Sequence, residues 1–310
     1  MKNVLIFGVG GFVGPYLSRE FLSAGYHVAG CDVSESASLP DSVHFYLANI
    51  LDGSGVNDVI QKCCPDIIVN LAAISSVGQS WKIPQTTMEI NVIGTLNILE
   101  AVKTLSSLPK VLLVGSSEEY DISSTPIKES QPIRANNPYG ISKTTQERFA
   151  TIYKEQYGIN VYYVRPFNHT GVGQRDSFVL PSFCKQVAEI EKTGKPGTIK
   201  VGNLDAWRDF SHVSDIVRAY RMVVESENND TVFNIGSGEA HSLKELLEYI
   251  ISLSTVPISV EVDPARFRPI DNPFICCDNS FIMKELGWKP RFNVFDALNE
   301  MYHYWLNEKY

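Results

Sequence analysis

In NNPYGISK (136–143) a tyrosine stands four residues before a lysine, directly after a proline. Proline is well accepted at the first position of a helix, so a helix opening at Pro138 puts Tyr139 and Lys143 on one face. A phenol next to an ammonium has a chemical use. Tyrosine titrates near pKa ~10 in water, and a neighbouring positive charge favours the phenolate. A drop of about 3 in pKa corresponds to about 4 kcal/mol and lets the phenol exchange a proton with an alcohol or alkoxide near neutral pH. Spacing alone does not separate such a pair from the first turn of an ordinary surface helix. The rest of the chain must build a site around it.

A strand end supplies the third group. KVLLVGSS (110–117) reads as a strand running into GSSEEY (115–120). In a parallel sheet, ligands gather at the carboxyl ends of the strands, so Ser116, Ser117 and Glu118 emerge at that edge. Tyr139 follows by one long loop, on the helix that crosses back. Ser116 is then expected to orient a substrate oxygen, Tyr139 to move the proton and Lys143 to hold a nicotinamide ribose. Glu118 is a further acid/base candidate, set against a solvated loop carboxylate.

The chain opens with a phosphate-binding pattern. GVGGFVG (8–14) lies where NVLIFG (3–8) hands over to the helical spacing of FVGPYLSREFLSAG (12–25). Gly8, Gly11 and Gly14 permit a tight turn, close backbone approach to a pyrophosphate, and helix-on-strand packing, with the helix N-terminus facing the phosphates. The spacing is G-x-x-G-x-x-G, not the G-x-G-x-x-G of the standard fingerprint. Asp32 closes the second strand, YHVAGCD (26–32). Its carboxylate can accept from both ribose hydroxyls and repels a 2′-phosphate. No arginine occurs between Arg19 and Arg134, so NAD(H) is favoured, with NADP(H) left open.

Positioning these residues takes strands alternating with helices. VHFYLANI (43–50), PDIIVNLAA (65–73) and INVYYVRPF (159–167) extend the series, mostly separated by helical stretches. Alternation means crossover connections and a mostly parallel sheet covered on both faces. After about residue 166 the rhythm loosens. Loops and short strands surround helices at about 178–192, 213–227, 242–253 and 294–307, with a strand at 231–237. The predicted fold is α/β: a Rossmann-type doubly wound parallel sheet with a smaller, partly discontinuous α/β substrate lobe. Residues 1–165 plus about 211–230 are expected in the nucleotide domain, and about 166–210 plus 231–310 in the lobe.

Composition sets the outer bounds. A 310-residue chain with 44% hydrophobic and 20% charged residues suits a soluble globular protein with ample core. A net charge of -8 argues against nucleic-acid binding as the main business. No apolar run reaches spanning length and residues 1–7 lack signal-peptide features, so no membrane partner and a cytoplasmic location are expected. Six cysteines, including Cys63-Cys64 and Cys276-Cys277, lack metal-ligand spacing and read as reduced structural thiols, with no metal site.

The glycine turn, NLAA (70–73), NVIGT (91–95), SSEEY (116–120), YGISK (139–143) and RPFNHTG (165–171), taken in order, resemble the extended short-chain dehydrogenase/reductases acting on nucleotide sugars. RPFNHTGVGQ (165–174), KQVAEIE (185–191), the stretch 199–220 and RFRPID (266–271) are most similar to the branch handling GDP-mannose derivatives, above all its GDP-4-keto-6-deoxy-D-mannose reductases. The resemblance implies Ser116, Tyr139 and Lys143 as the catalytic trio, with Glu118 beside them. It implies cofactor contacts from Gly8, Gly11, Phe12, Val13, Gly14, Asp32, Asn49, Ile50, Leu71, Ala72, Ala73 and Phe167, besides Tyr139 and Lys143. For a GDP-linked sugar it implies Asn168, Arg208, Arg268 and Asp271, and guanidinium forks suit phosphate oxygens.

There are departures from the family pattern. Phe7 replaces a usual threonine, Ala48-Asn49 a usual Gly-Asp beside the adenine, Asp121 a common glycine and Asp271 a usual glutamate. Helices at about 86–105 and 139–157 carry apolar residues beyond what one sheet face needs. Their family counterparts pair as a four-helix bundle, so a homodimer is expected. The expected activity is NAD(P)H-dependent reduction of the C4 keto group of a GDP-4-keto-6-deoxy-hexose, giving a GDP-D-rhamnose-type product. The alternative is a GDP-mannose-type 4,6-dehydratase using bound NAD, with Glu118 as base. The intact trio disfavours an idle sugar-nucleotide sensor.

Overall fold

The computed structural model describes residues 1–121, 125–229, 231–267 and 272–308. Its first part runs β1 (Asn3–Phe7), α1 (Val13–Ser23), β2 (His27–Asp32), β3 (His44–Leu47), α2 (Gly53–Cys63), β4 (Ile67–Asn70), α3 (Val77–Lys82), α4 (Pro84–Met88), α5 (Gly94–Lys103), β5 (Lys110–Val114), α6 (Pro138–Tyr157) and β6 (Asn160–Pro166). The second part adds β7 (Asn168–Thr170), α7 (Val179–Thr193), β8 (Gly197–Val201), β9 (Trp207–His212), α8 (Val213–Glu225) and β10 (Val232–Ile235). It closes with β11 (Ala240–Ser242), α9 (Leu243–Ser252), β12 (Ile258–Val262), β13 (Phe274–Ile275), α10 (Ser280–Leu286) and α11 (Val294–Asn307).

Seven strands form one parallel sheet in the order β10-β6-β5-β4-β1-β2-β3. The chain winds outward from β1 to β3, then returns to place β4 on the other side of β1. That reversal opens a crevice at the carboxyl ends of β1 and β4. Continuous apolar strands follow from burial on both faces. Val4 and Ile6 enter the core under α1 and α8, whereas Leu5 and Phe7 enter the core under α2, α5 and α6. A third core gathers α7, α9 and α11 over Ile199, Val201 and Phe210.

Two expectations need correction. The strand at 231–237 is given by the sequence to the smaller lobe, but β10 pairs in parallel with β6 and forms an edge of the large sheet. Phe233 and Ile235 share the core of α1 and α8, with Ile282 and Trp288 packed there too. A short apolar strand shows by its pattern that it is buried, and does not show in which sheet. The helix expected at about 86–105 is α4, a π-helical turn at Glu89–Ile93, and α5. The widened turn is an insertion of the kind frequent at functional sites.

The helix carrying the Tyr–Lys pair starts and stops where its residue types dictate. Asn137 Oδ1 accepts from Gly140 N–H at 2.9 Å, Pro138 occupies the first turn, and Gly158 ends α6 at φ +68.

Candidate active site

At the β1–α1 turn, Gly8 has φ +77, and a Cβ there would lie 2.5 Å from the Ala72 nitrogen. A Cβ on Gly14 would lie 1.9 Å from the Val9 carbonyl oxygen. Both positions exclude a side chain, so backbone closes on backbone. Helix α1 begins at Val13 after Phe12, with no capping side chain among the described residues and no acidic residue in its first turn. Its leading N–H groups and positive dipole end therefore suit a pyrophosphate. The Phe12 ring stacks on His169, centroids 6.2 Å apart, which ties the turn to the start of the second part.

Asp32 sits at the end of β2. Its Oδ2 accepts from Gly10 N–H at 2.9 Å and its Oδ1 from Val33 N–H at 2.7 Å. Each oxygen keeps a second lone pair, so the carboxylate is oriented and can still accept from hydroxyls. Arg19 Nη2 donates to Ser38 O at 2.9 Å, which brings a guanidinium to the loop following Asp32. Asn49 is exposed and Ile50 buried just after β3, while Leu71, Ala72 and Ala73 follow β4 beside the glycine turn. Asn49 Oδ1 accepts from Leu51 N–H at 3.0 Å.

Ser116, Tyr139 and Lys143 are all buried at the end of β5 and in the first turns of α6. Ser116 caps a 3-10 turn at Ser117–Glu119, its Oγ accepting from Glu118 N–H at 3.1 Å. Lys143 Nζ donates to Val114 O at 2.7 Å and to Gln146 Oε1 at 3.2 Å, 6.0 Å from the centre of the Tyr139 ring. An ammonium has three N–H groups, so one is left for a ribose hydroxyl. Glu118 is half-buried beside the trio, its Oε2 accepting from Asn137 Nδ2 at 2.9 Å.

The protonation expected of the pair is corrected. Burial pushes the Tyr139 phenol well above its ordinary value; a hydrogen bond with Ser116 opposes this, and the charges of Glu119 and Glu118 add to it. Burial also pulls the Lys143 ammonium down, to about 8, against the Glu119 charge. Removal from water favours the neutral form of each group. The phenol is held protonated at neutral pH, which is the state a proton donor needs.

Several positioning residues carry no sign of that role in the sequence. Asn137 caps α6 and holds Glu118 with the same amide. Asn91, in the π turn, bonds both backbone groups of Ile74 and donates to Ser142 Oγ at 2.8 Å; Ser142 in turn donates to the Tyr139 carbonyl at 2.7 Å. Thr95 Oγ1 accepts from Asn70 Nδ2 at 3.1 Å and Gln146 Nε2 at 2.8 Å, so the Lys143 contact is anchored in turn. Asn137 before Pro138 is the available signal, as a helix-start signature. Asn91 and Thr95 open and close the NVIGT motif, but nothing in it points to their partners.

Phe167, expected against the cofactor, is buried; of the residues expected at the sugar end, Asn168 begins β7, which pairs in parallel with β9. Asn168 faces Phe210 in register, so Arg208 lies two residues away along the neighbouring strand. Arg208 is buried, and its Nη1 donates to Trp207 O at 2.8 Å. Arg268 and Asp271 lie outside the described residues. Among the described residues no cluster of His, Cys, Asp or Glu could hold a metal ion, and no helix is long and apolar enough to cross a membrane. All six cysteines are free.

An uncapped helix end facing a crevice, with a buried proton donor across it, is how one fold class joins a dinucleotide to a carbonyl; this fold and site define an extended short-chain dehydrogenase/reductase. The chain belongs to the GDP-mannose 4,6 dehydratase family, whose model matches residues 5–301. It is 29% identical over 307 residues to the GDP-6-deoxy-D-mannose reductase of Pseudomonas aeruginosa, covering 98% of this chain and 97% of the relative. It is 30% identical to the GDP-mannose 4,6-dehydratase of Vibrio cholerae serotype O1, covering 97% of this chain and 92% of the relative. The structure of RMD from Pseudomonas aeruginosa complexed with NADPH superposes with a TM-score of 0.85 at 26% identity, covering 99% of each chain.

Proposed function

We infer that the protein reduces the C4 keto group of a GDP-4-keto-6-deoxy-hexose, of the GDP-4-keto-6-deoxy-D-mannose to GDP-D-rhamnose type. The observation that carries this is the buried Tyr139 set beside Ser116 and Lys143 at the crevice of the sheet. A hydride for C4 would come from NADH or NADPH, when bound. Ser116 orients the keto oxygen, Tyr139 delivers its proton to that oxygen as the carbon is reduced, and Lys143 steadies the phenolate left behind. The uncapped start of α1 would hold the pyrophosphate and Asp32 the adenosine ribose, which favours NADH. Asn168 and Arg208 are the residues we assign to the sugar diphosphate. Ile93, Ile141, Ile152 and Tyr157, each almost half exposed on the α5–α6 side, support a homodimer. The free, mostly buried thiols fit a reducing, cytoplasmic compartment.

One observation favours a second reading. Glu118 is fixed by Asn137 beside the trio, where a 4,6-dehydratase needs its base. The assay that separates them supplies GDP-4-keto-6-deoxy-mannose with NADH, and separately GDP-mannose with NAD. The reductase consumes NADH stoichiometrically in the first and makes little 4-keto sugar in the second. Glu118→Gln then costs a reductase less than about tenfold, roughly 1.4 kcal/mol of barrier, but costs a dehydratase about 10²–10⁴. Formation of the 4-keto sugar from GDP-mannose without added cofactor, abolished by Glu118→Gln, overturns the reductase assignment.

A further inference from the structure

Glu119 is fully buried directly behind the trio. Its Oε1 accepts from Ser116 N–H at 2.7 Å and from the Tyr163 hydroxyl at 3.3 Å. Its Oε2 has no hydrogen-bond donor among the described residues and lies 3.9 Å from Arg165 Nε. Arg165 is already committed: Nε and Nη2 grip Glu147 at 3.2 and 2.7 Å, and Nη1 donates to the Tyr120 hydroxyl at 2.7 Å. A fully buried carboxyl, Glu119, and a partly exposed one, Glu147, thus share one guanidinium, and a bare carboxylate oxygen on Glu119 is costly. A proton on Glu119 removes that cost.

We propose that Glu119 is a positioning residue that acts in two ways. It fixes the Ser116 backbone and, by giving up its own proton, becomes the charge partner that keeps Lys143 an ammonium as pH rises. This rests on Lys143 and Tyr139 working as the reductase reading describes. The charged and titratable groups facing Glu119 are Arg165 and Tyr163 from β6, Glu147, Lys143 and Tyr139 from α6, and Glu118 and Tyr120 from its own loop, with Glu129 beyond Arg165. Lys143 and Glu119 titrate as interacting groups. When one proton leaves, the combination of carboxylate and ammonium is lower in energy than neutral acid and neutral amine. Glu119 therefore ionises first and Lys143 keeps its charge. Burial, opposed by Arg165, pushes the Glu119 carboxyl up to about 8, the range in which Lys143 needs this support.

The test has one readout that needs no substrate. Infrared spectroscopy of the parent protein at neutral pH should show a buried carboxylic-acid C=O stretch, shifted in D2O, that disappears as pH rises through about 8 and is absent in Glu119→Gln. Glutamine still accepts from Ser116 N–H but cannot ionise, so the alkaline limb of kcat/KM should move to lower pH by about one unit, a tenfold loss above the limb. A parent spectrum without the band, a band that survives in Glu119→Gln, or an unmoved limb overturns the proposal. If Glu119→Gln does not fold, the titrating band of the parent decides. A parent that shows the band but does not turn over the 4-keto sugar removes the reductase reading and supports the buried proton on Glu119.

Discussion

Replacing Gly140 with alanine sets two opposing effects against each other inside the YGISK turn. In the first turn of α6, alanine gains at most about 0.5–1 kcal/mol of helix propensity over glycine. Its Cβ, however, would lie 2.3 Å from the Glu118 carbonyl oxygen and 3.1 Å from Ala135 Cβ. The carbonyl oxygen is backbone and must retreat by about 1 Å to reach ordinary contact. It cannot move alone, because Glu118 N–H is bonded to Ser116 Oγ and Glu119 N–H to Ser116 O. The retreat is therefore passed to Ser116 and away from Tyr139. Misplacement on the order of 1 Å costs about 10²-fold in rate, or about 2.7 kcal/mol. Overpacking of about 1–3 kcal/mol outweighs the helix gain, so the melting temperature should fall modestly. The assay is kcat/KM for the 4-keto sugar with NADH, alongside a thermal melt and NADH binding by fluorescence. A folded Gly140→Ala protein within threefold of the parent would show that the 115–119 loop and α6 do not have to fit this closely.

Tyr139→Phe should lower kcat by about 10²–10⁴ while NADH binding is largely kept; activity within threefold of the parent removes Tyr139 from the mechanism. NADH should outperform NADPH in kcat/KM if Asp32, held by Gly10 and Val33 N–H at the end of β2, receives the adenosine ribose hydroxyls. A reversed preference, restored to NADH by Arg19→Ala, would show that the guanidinium on Ser38 overrides the carboxylate. Light scattering at micromolar concentration should give the mass of a dimer, and a monomer would refute the apolar α5–α6 face as an interface.

Much of the site could be read from local sequence because its constraints are local. A glycine at φ +77, a carboxylate closing a strand, and a Tyr–Lys pair one helical turn apart depend on a few neighbouring residues and on backbone geometry. Strand–helix alternation likewise required a covered parallel sheet, since parallel neighbours need crossovers.

Contacts across long sequence separations were settled only by the folded chain. Gln146 and Thr95, 51 residues apart, meet under Lys143. β10 joins β6 only once α8 has crossed the sheet. The Tyr139 phenol shifts up and not down because of burial, which the spacing of two residues cannot express. Glu119 shows the division within one residue. Its sequence context places it in a loop among polar neighbours. Only the packing of β6 and α6, residues 160–166 and 138–157, withdraws its carboxyl from water and sets it against Arg165 and Glu147. Local geometry fixes which groups are present, and desolvation, which depends on every element packed around them, fixes the charge they carry.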